Sequence, residues 1–284
     1  MGSVLALLSA VLFAIAALIV RRGMQGSTAI TATLVSIATN LVALWALAAA
    51  SGGIRLITWP AVATLVAAGL FAPALARFTY YEAMNLIGVA RASTISNTTP
   101  IFTALLAVPV LGEHVSLRVG VGTLLVVLGL ALTIRPDEGA QTDRPWAGAL
   151  LALNTAVMAS VSFMLRKLGL RMLPDAAVAS ALTVTGSLLV LLPYAAVRSR
   201  TQPLRAGRTA LVLLIVSAVF TTGGFLSYFY ALSLSEVVRV TPLSNTTPLF
   251  ALILLAMFRQ ETIRRATVAG ALLTVAGILF VVSG

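Results

Sequence analysis

Long apolar runs alternate with short polar breaks along the whole chain. The runs lie near residues 3–20, 28–50, 61–86, 90–111 and 117–134. After a polar stretch from Arg135 to Trp146 they resume near 147–165, 176–197, 209–234, 238–258 and 266–283. Each is about 20 residues long, the length a helix needs to cross a bilayer's hydrocarbon. Hydrocarbon offers no partner to an open backbone, so every run is expected to be helical. The pattern therefore predicts an all-α membrane protein with ten transmembrane helices. Ten such crossings use roughly 200 residues of the 284, which leaves no room for a soluble domain. The first run lacks a basic n-region and precedes nine similar ones, so it reads as a membrane helix and not as a signal peptide.

The ten runs fall into two sets of five. A shift of 148 lays Tyr80–Ile134 on Tyr228–Val282 without a gap, with 18 identities in 55 positions. The pentapeptide Ser96-Asn97-Thr98-Thr99-Pro100 falls on Ser244-Asn245-Thr246-Thr247-Pro248, Arg91 on Arg239, Glu113 on Glu261, Gly122 on Gly270 and Gly129 on Gly277. A shift of 146 aligns the first helices, with Gly2 on Gly148 and Gly23 on Gly169. Shared apolar composition would scatter matches among Leu, Ala and Val and would not align Asn, Arg, Glu and Pro. The repeats are placed at 1–135 and 147–284, joined by a linker at 136–146. A five-helix unit is odd, so its second copy enters the membrane in the opposite direction. The expected architecture is two inverted five-helix repeats around a central cavity, the plan of secondary transporters.

Composition narrows the alternatives. Only 10% of residues are charged and 60% are hydrophobic, while the net charge is +11. The basic excess sits in loops and is not interleaved with stacking aromatics, so no nucleic-acid partner is expected. With no cysteine and one histidine, neither a metal site nor a cofactor is expected. Apart from Glu82 the predicted spans hold no Asp or Glu, and they lack a nucleophile with its base, which excludes a membrane-embedded enzyme. Loops after odd-numbered spans hold 12 Lys and Arg and the other loops six, counting Arg166, Lys167 and Arg171 among the latter. The positive-inside rule then puts both termini outside the cytoplasm.

The stretch Tyr80, Ala83, Arg91, Pro100, Gly112-Glu113, Gly122, Gly129 and its copy Tyr228, Ala231, Arg239, Pro248, Glu261, Gly270, Gly277 resemble the EamA domain of the drug/metabolite transporter superfamily. The second copy departs from the pattern at Gln260. The resemblance implies ten helices around a cavity, alternating access and export of small metabolites across the cell (inner or plasma) membrane. It extends to the YddG-like exporters of aromatic amino acids. It also implies cytoplasmic termini, against the charge count. The four-helix drug antiporters of this superfamily use a carboxylate in the first helix; here Leu12–Ala16 is apolar, which disfavours cationic drugs. The expected activity is export or facilitated transport of amino acids, including aromatic or hydrophobic ones. A carrier for sugar phosphates or nucleotide sugars and a passive channel are the alternatives. The expected partners are a small-molecule substrate and membrane lipid, with a monomer or a homodimer as the assembly.

Candidate substrate-binding residues are Arg77, Tyr80, Tyr81, Asn97, Thr98, Asn154, Tyr228, Asn245 and Thr246. Amides inside a span need partners, so Asn97 and Asn245 either line a cavity or join helices as hydrogen-bonding glue. The prolines that follow remove a donor and free carbonyls near Ser96 and Ser244. Arg77, Tyr80, Tyr81 and Met84 share one helix face. Such a face suits a carboxylate beside an apolar or aromatic group, or Arg77 snorkels to the interface. Its repeat mate is Phe225. Tyr80 and Tyr228 also read as interfacial anchors. Asn40, Asn154 and Ser160 are weaker candidates. Gly122, Gly129, Gly270 and Gly277 read as packing, and Glu113 and Glu261 as loop caps.

Overall fold

Once apolar faces and backbone amides are satisfied inside helices, the remaining question is how the helices pair. In a computed structural model the described residues, 1–133, 145–198, 204–257 and 265–284, form twelve α-helices. They are α1 (Gly2–Gly23), α2 (Ala29–Ser51), α3 (Trp59–Gly69), α4 (Ala76–Ser96), α5 (Thr99–Leu111) and α6 (Leu117–Thr133). The second half gives α7 (Pro145–Met172), α8 (Ala176–Arg198), α9 (Arg208–Leu234), α10 (Val237–Ser244), α11 (Thr247–Met257) and α12 (Arg265–Ser283). Among the described residues nine stretches are long and apolar enough to cross a membrane, and Leu117–Thr133 adds a shorter apolar helix. These are the ten expected crossings. Most of the linker, together with Gln260 and Glu261, lies outside the described residues.

Four crossings differ from the helices the pattern predicts. The third breaks at Ala72 (φ −146°, ψ 134°), before Pro73, and resumes as α4. Proline cannot donate to the helix ladder, which accounts for the break. Helix α4 then turns at Gly88 (φ 82°, ψ 161°), a backbone state favouring glycine, and there the third crossing gives way to the fourth. The fourth and ninth are each two helices meeting at the Asn-Thr pair. The sixth continues to Met172, so Arg166, Lys167 and Arg171 belong to helix α7 and not to a loop.

Packing shows the inversion directly. Gly2, at the start of α1, lies against Ser235 just past the end of α9. Lys167, near the end of α7, donates to the carbonyls of Leu232 and Ser235. So α1 starts on the face where α7, its repeat mate, ends. Arg239 donates to the Gly284 carbonyl at 2.7 Å, which places the C-terminus on this same terminal face. Each repeat packs into the other: α1 on α9, α7 on α3 and α4, α6 on α12. The last pair is the tightest. A Cβ at Gly129 would lie 2.6 Å from the Thr274 amide nitrogen, and one at Gly277 would lie 2.7 Å from the Gly122 carbonyl oxygen. Small residues let these two backbones touch.

Candidate functional site

The repeated pentapeptide builds a matched pair of helix breaks. Asn97 (φ −68°, ψ −4°) ends α4 and Asn245 (φ −73°, ψ −3°) ends α10 in the same geometry. The threonine hydroxyls then satisfy the carbonyls left over at each break. Thr98 donates to Ile95 and Thr246 to Leu243, both at 2.6 Å, while Thr99 donates to Ser96 at 2.7 Å and Thr247 to Ser244 at 3.1 Å. Glu113 anchors the start of α10 from the first repeat, its carboxylate accepting from the amides of Val237 and Val238 at 2.9 and 3.1 Å.

A cavity of about 360 Å³ lies between the halves, walled by α1, α2, the third crossing, α8 and α9. From α1 come Phe13, Ala16, Ala17, Val20 and Met24. The second helix supplies Thr33, Ser36, Ile37 and Asn40, which recur at i, i+3, i+4 and i+7 and so share one stripe. The third crossing adds Pro73, Arg77 and Tyr81, opposite Ser217, Thr221 and Phe225 on α9. The lining reaches toward the far face at Met24 and Tyr81, which are 45% and 49% exposed. Toward the terminal face the helices are packed solid, with Leu65, Leu170, Tyr228, Phe229 and Leu232 in one buried cluster.

Inside the cavity, polar and aromatic groups are spaced around an apolar wall. Asn40 is buried and its Oδ1 accepts from Thr222 at 3.0 Å, while Ser217 donates to the Ala16 carbonyl at 3.0 Å. Phe13 and Phe225 meet edge to face at 5.5 Å. Arg77 is half-buried and, among the described residues, makes no ion pair. Its guanidinium is the one cation in the lining of this cavity.

The structure therefore brings Arg77 and Tyr81 together at one cavity and sends the other candidates elsewhere. Tyr80 turns to Ser93, with the two hydroxyls 2.6 Å apart, and packs beside Ala83 and Ile87. Asn154 donates to the Met158 sulfur at 3.7 Å. Asn97, Thr98, Asn245 and Thr246 sit at the helix breaks, and Tyr228 is buried in the closed half; none of these lines this cavity. The polar stripe on α2 was readable from its spacing, although only Asn40 stands out in the sequence.

Arg166 is what the sequence reading missed. Assigned to a loop, it is 5% exposed inside α7, and its Nη2 donates to the Ala72 carbonyl at 2.8 Å, at the break of the third crossing. Its guanidinium carbon stands 5.3, 5.6 and 5.8 Å from the ring centres of Phe163, Tyr228 and Phe229. The only sequence signal was an arginine flanked by apolar residues at the end of a run.

Comparisons with known proteins bear on the family and the fold. A family model described as the EamA-like transporter family matches residues 1–135 and 146–283. An uncharacterized transporter from Archaeoglobus fulgidus is 26% identical over 203 residues, which cover 71% of this chain and 69% of that one. A solved crystal structure is similar at a TM-score of 0.81 and 17% identity, covering 99% of this chain and 98% of the other, a likeness of fold.

Proposed function

Because the chain belongs to the EamA-like transporter family and is a multi-pass membrane transporter, we propose that it carries amino acids, aromatic or hydrophobic ones among them, across the cell membrane by alternating access. The observation that carries this reading is Arg77, a guanidinium without an ion-pair partner among the described residues, facing a cavity lined with aromatic rings, hydroxyls and an amide. The substrate carboxylate pairs with Arg77, and its side chain lies against Phe13 and Phe225. A volume of about 360 Å³ is at the small end for ligand sites, which suits a single small metabolite. A substrate bearing phosphates calls for several converging cations, and this lining offers one. The YddG-like aromatic exporters are the branch this reading points to, with the chain working as a monomer or homodimer.

The test is uptake of radiolabelled amino acids into proteoliposomes, with and without an imposed pH gradient. Losing a charge-assisted hydrogen bond to substrate costs about 1.5–3 kcal/mol, so Arg77→Gln lowers kcat/KM roughly 10- to 100-fold. Arg77→Lys keeps part of the activity. Uptake indifferent to Arg77→Gln, or no uptake of any amino acid by the parent protein, overturns the reading.

A further inference from the structure

The lining of the cavity between the halves reaches toward the far face, while the described residues toward the terminal face are packed together, and the inverted repeat relates the two regions. Shifting the α1 lining by 146 converts Phe13, Ala16, Ala17, Val20 and Met24 into Ala159, Ser162, Phe163, Arg166 and Leu170 on α7. Shifting the third-crossing lining by 148 converts Pro73, Arg77 and Tyr81 into Thr221, Phe225 and Phe229 on α9. The two transformed sets meet where Arg166 stands over Phe229, while Thr221 and Phe225, higher on α9, line the open cavity itself. Arg166, Phe163, Leu170 and Phe229 belong to the packed half.

This packed half is not an inert core. Arg166 Nε and the Tyr228 hydroxyl are both buried, and beyond the guanidinium's own approach to that hydroxyl neither finds a hydrogen-bond partner. The guanidinium is held by a backbone carbonyl and three rings, with no carboxylate beside it among the described residues. A buried cation left without a counter-charge costs free energy, and an anion can supply the missing partner. We propose that Arg166 is the substrate-carboxylate ligand of the pathway when it opens to the terminal face. In that role it does for that half what Arg77 does for the half open here. A carboxylate-bearing substrate would then meet a guanidinium on either side of the membrane, carried by the sixth crossing on one side and by the third on the other. This inference rests on the alternating-access reading above.

The chain has no cysteine, so a thiol placed at Ser162, one turn from Arg166, is the sole reactive group. In membranes, the Ser162→Cys protein is treated from the terminal face with an anionic and a cationic methanethiosulfonate, 2-sulfonatoethyl and 2-trimethylammonioethyl. The expected result is labelling from that face, with the anionic reagent favoured about tenfold over the ratio measured for a free thiol, the size of effect an unpaired nearby charge produces. Arg166→Gln in the same protein abolishes the preference and Arg166→Lys retains it. Should Arg166→Gln fail to fold, the preference in the Ser162→Cys and Ala159→Cys proteins, which keep Arg166, still decides. A thiol inert from the terminal face at both positions overturns the proposal, as does labelling without charge preference. The readout does not depend on knowing the substrate. Absent amino-acid uptake with the expected labelling refutes the substrate assignment, while uptake without labelling refutes the role of Arg166.

Discussion

Replacing Glu113 should detach the ninth crossing from the first repeat and leave the cavity walls untouched. The side chain is 5% exposed and accepts two backbone hydrogen bonds, from Val237 and Val238, whose side chains are 0% and 2% exposed. Those amides open α10 and have no acceptor within the helix. Glu113→Ala leaves two buried donors unpaired at about 1–3 kcal/mol each. It also removes a negative charge from a helix N-terminus, worth about 0.3–1 kcal/mol. Relief from burying a carboxylate offsets part of this, so the expected net loss is about 2–4 kcal/mol. At about 2–4 °C per kcal/mol for a chain near this size, Tm falls by roughly 5–15 °C. Glu113→Gln keeps one acceptor and turns an amide group toward the second donor, so its fall is about half as large. Thermal unfolding in detergent, followed by the monodisperse fraction on gel filtration, separates the three proteins. A Glu113→Ala Tm within a degree of the parent would refute the capping argument.

Two further outcomes are expected. Gly129→Leu places a side chain where even a Cβ would come within 2.6 Å of the Thr274 amide nitrogen, so it should separate α6 from α12 and destabilise the fold by more than the roughly 1–3 kcal/mol of ordinary overpacking; a Tm equal to the parent's in the same assay counts against that contact. Removing Arg166, buried within α7, from the six basic residues of the terminal face leaves five against 12 in the sequence tally of the far-face loops, and the positive-inside rule puts the cavity mouth on the cytoplasmic side. A C-terminal fluorescent-protein fusion should then be dark and an alkaline phosphatase fusion active; the reverse pair of signals would assign the termini to the cytoplasm.

The number of crossings, their pairing into two copies and their opposed directions were legible because each rests on a property the sequence carries openly. Run length sets the crossings, and an odd repeat sets the inversion. The helix breaks were half legible. Proline at positions 100 and 248 announced a disturbance, but the hydroxyls of Thr98, Thr99, Thr246 and Thr247 absorb the freed carbonyls locally. A polar pentapeptide within a span thus looks the same in sequence whether it faces a cavity or caps its own helix. Arg166 was illegible for a related reason. Hydropathy ends a span at the first charges, whereas α7 continues for six residues beyond Arg166 because Ala72, Phe163, Tyr228 and Phe229 surround the guanidinium. Those partners come from other crossings, which a local pattern does not register.

The positions at which the two copies agree and differ divide along physical lines. Identity is kept at Asn97 and Asn245, at the prolines that follow, and at Gly122, Gly129, Gly270 and Gly277. There the requirement is a backbone break or a backbone contact. Inversion leaves local backbone geometry unchanged, so one solution serves both copies. Identity is lost at the cavity positions: Val20 against Arg166, Pro73 against Thr221, Arg77 against Phe225, Tyr81 against Phe229. A side chain that lines a cavity has no such common requirement, even where both mates line the same one, as Arg77 and Phe225 do, and the two cations, Arg77 and Arg166, sit on different helices. The two helices concerned pack on each other, α7 against α3 and α4. Arg166 holds the carbonyl of Ala72, five residues before Arg77 on the same crossing. The break at Ala72 is therefore common to both guanidinium groups: one binds its carbonyl and the other lies five residues further along the same crossing.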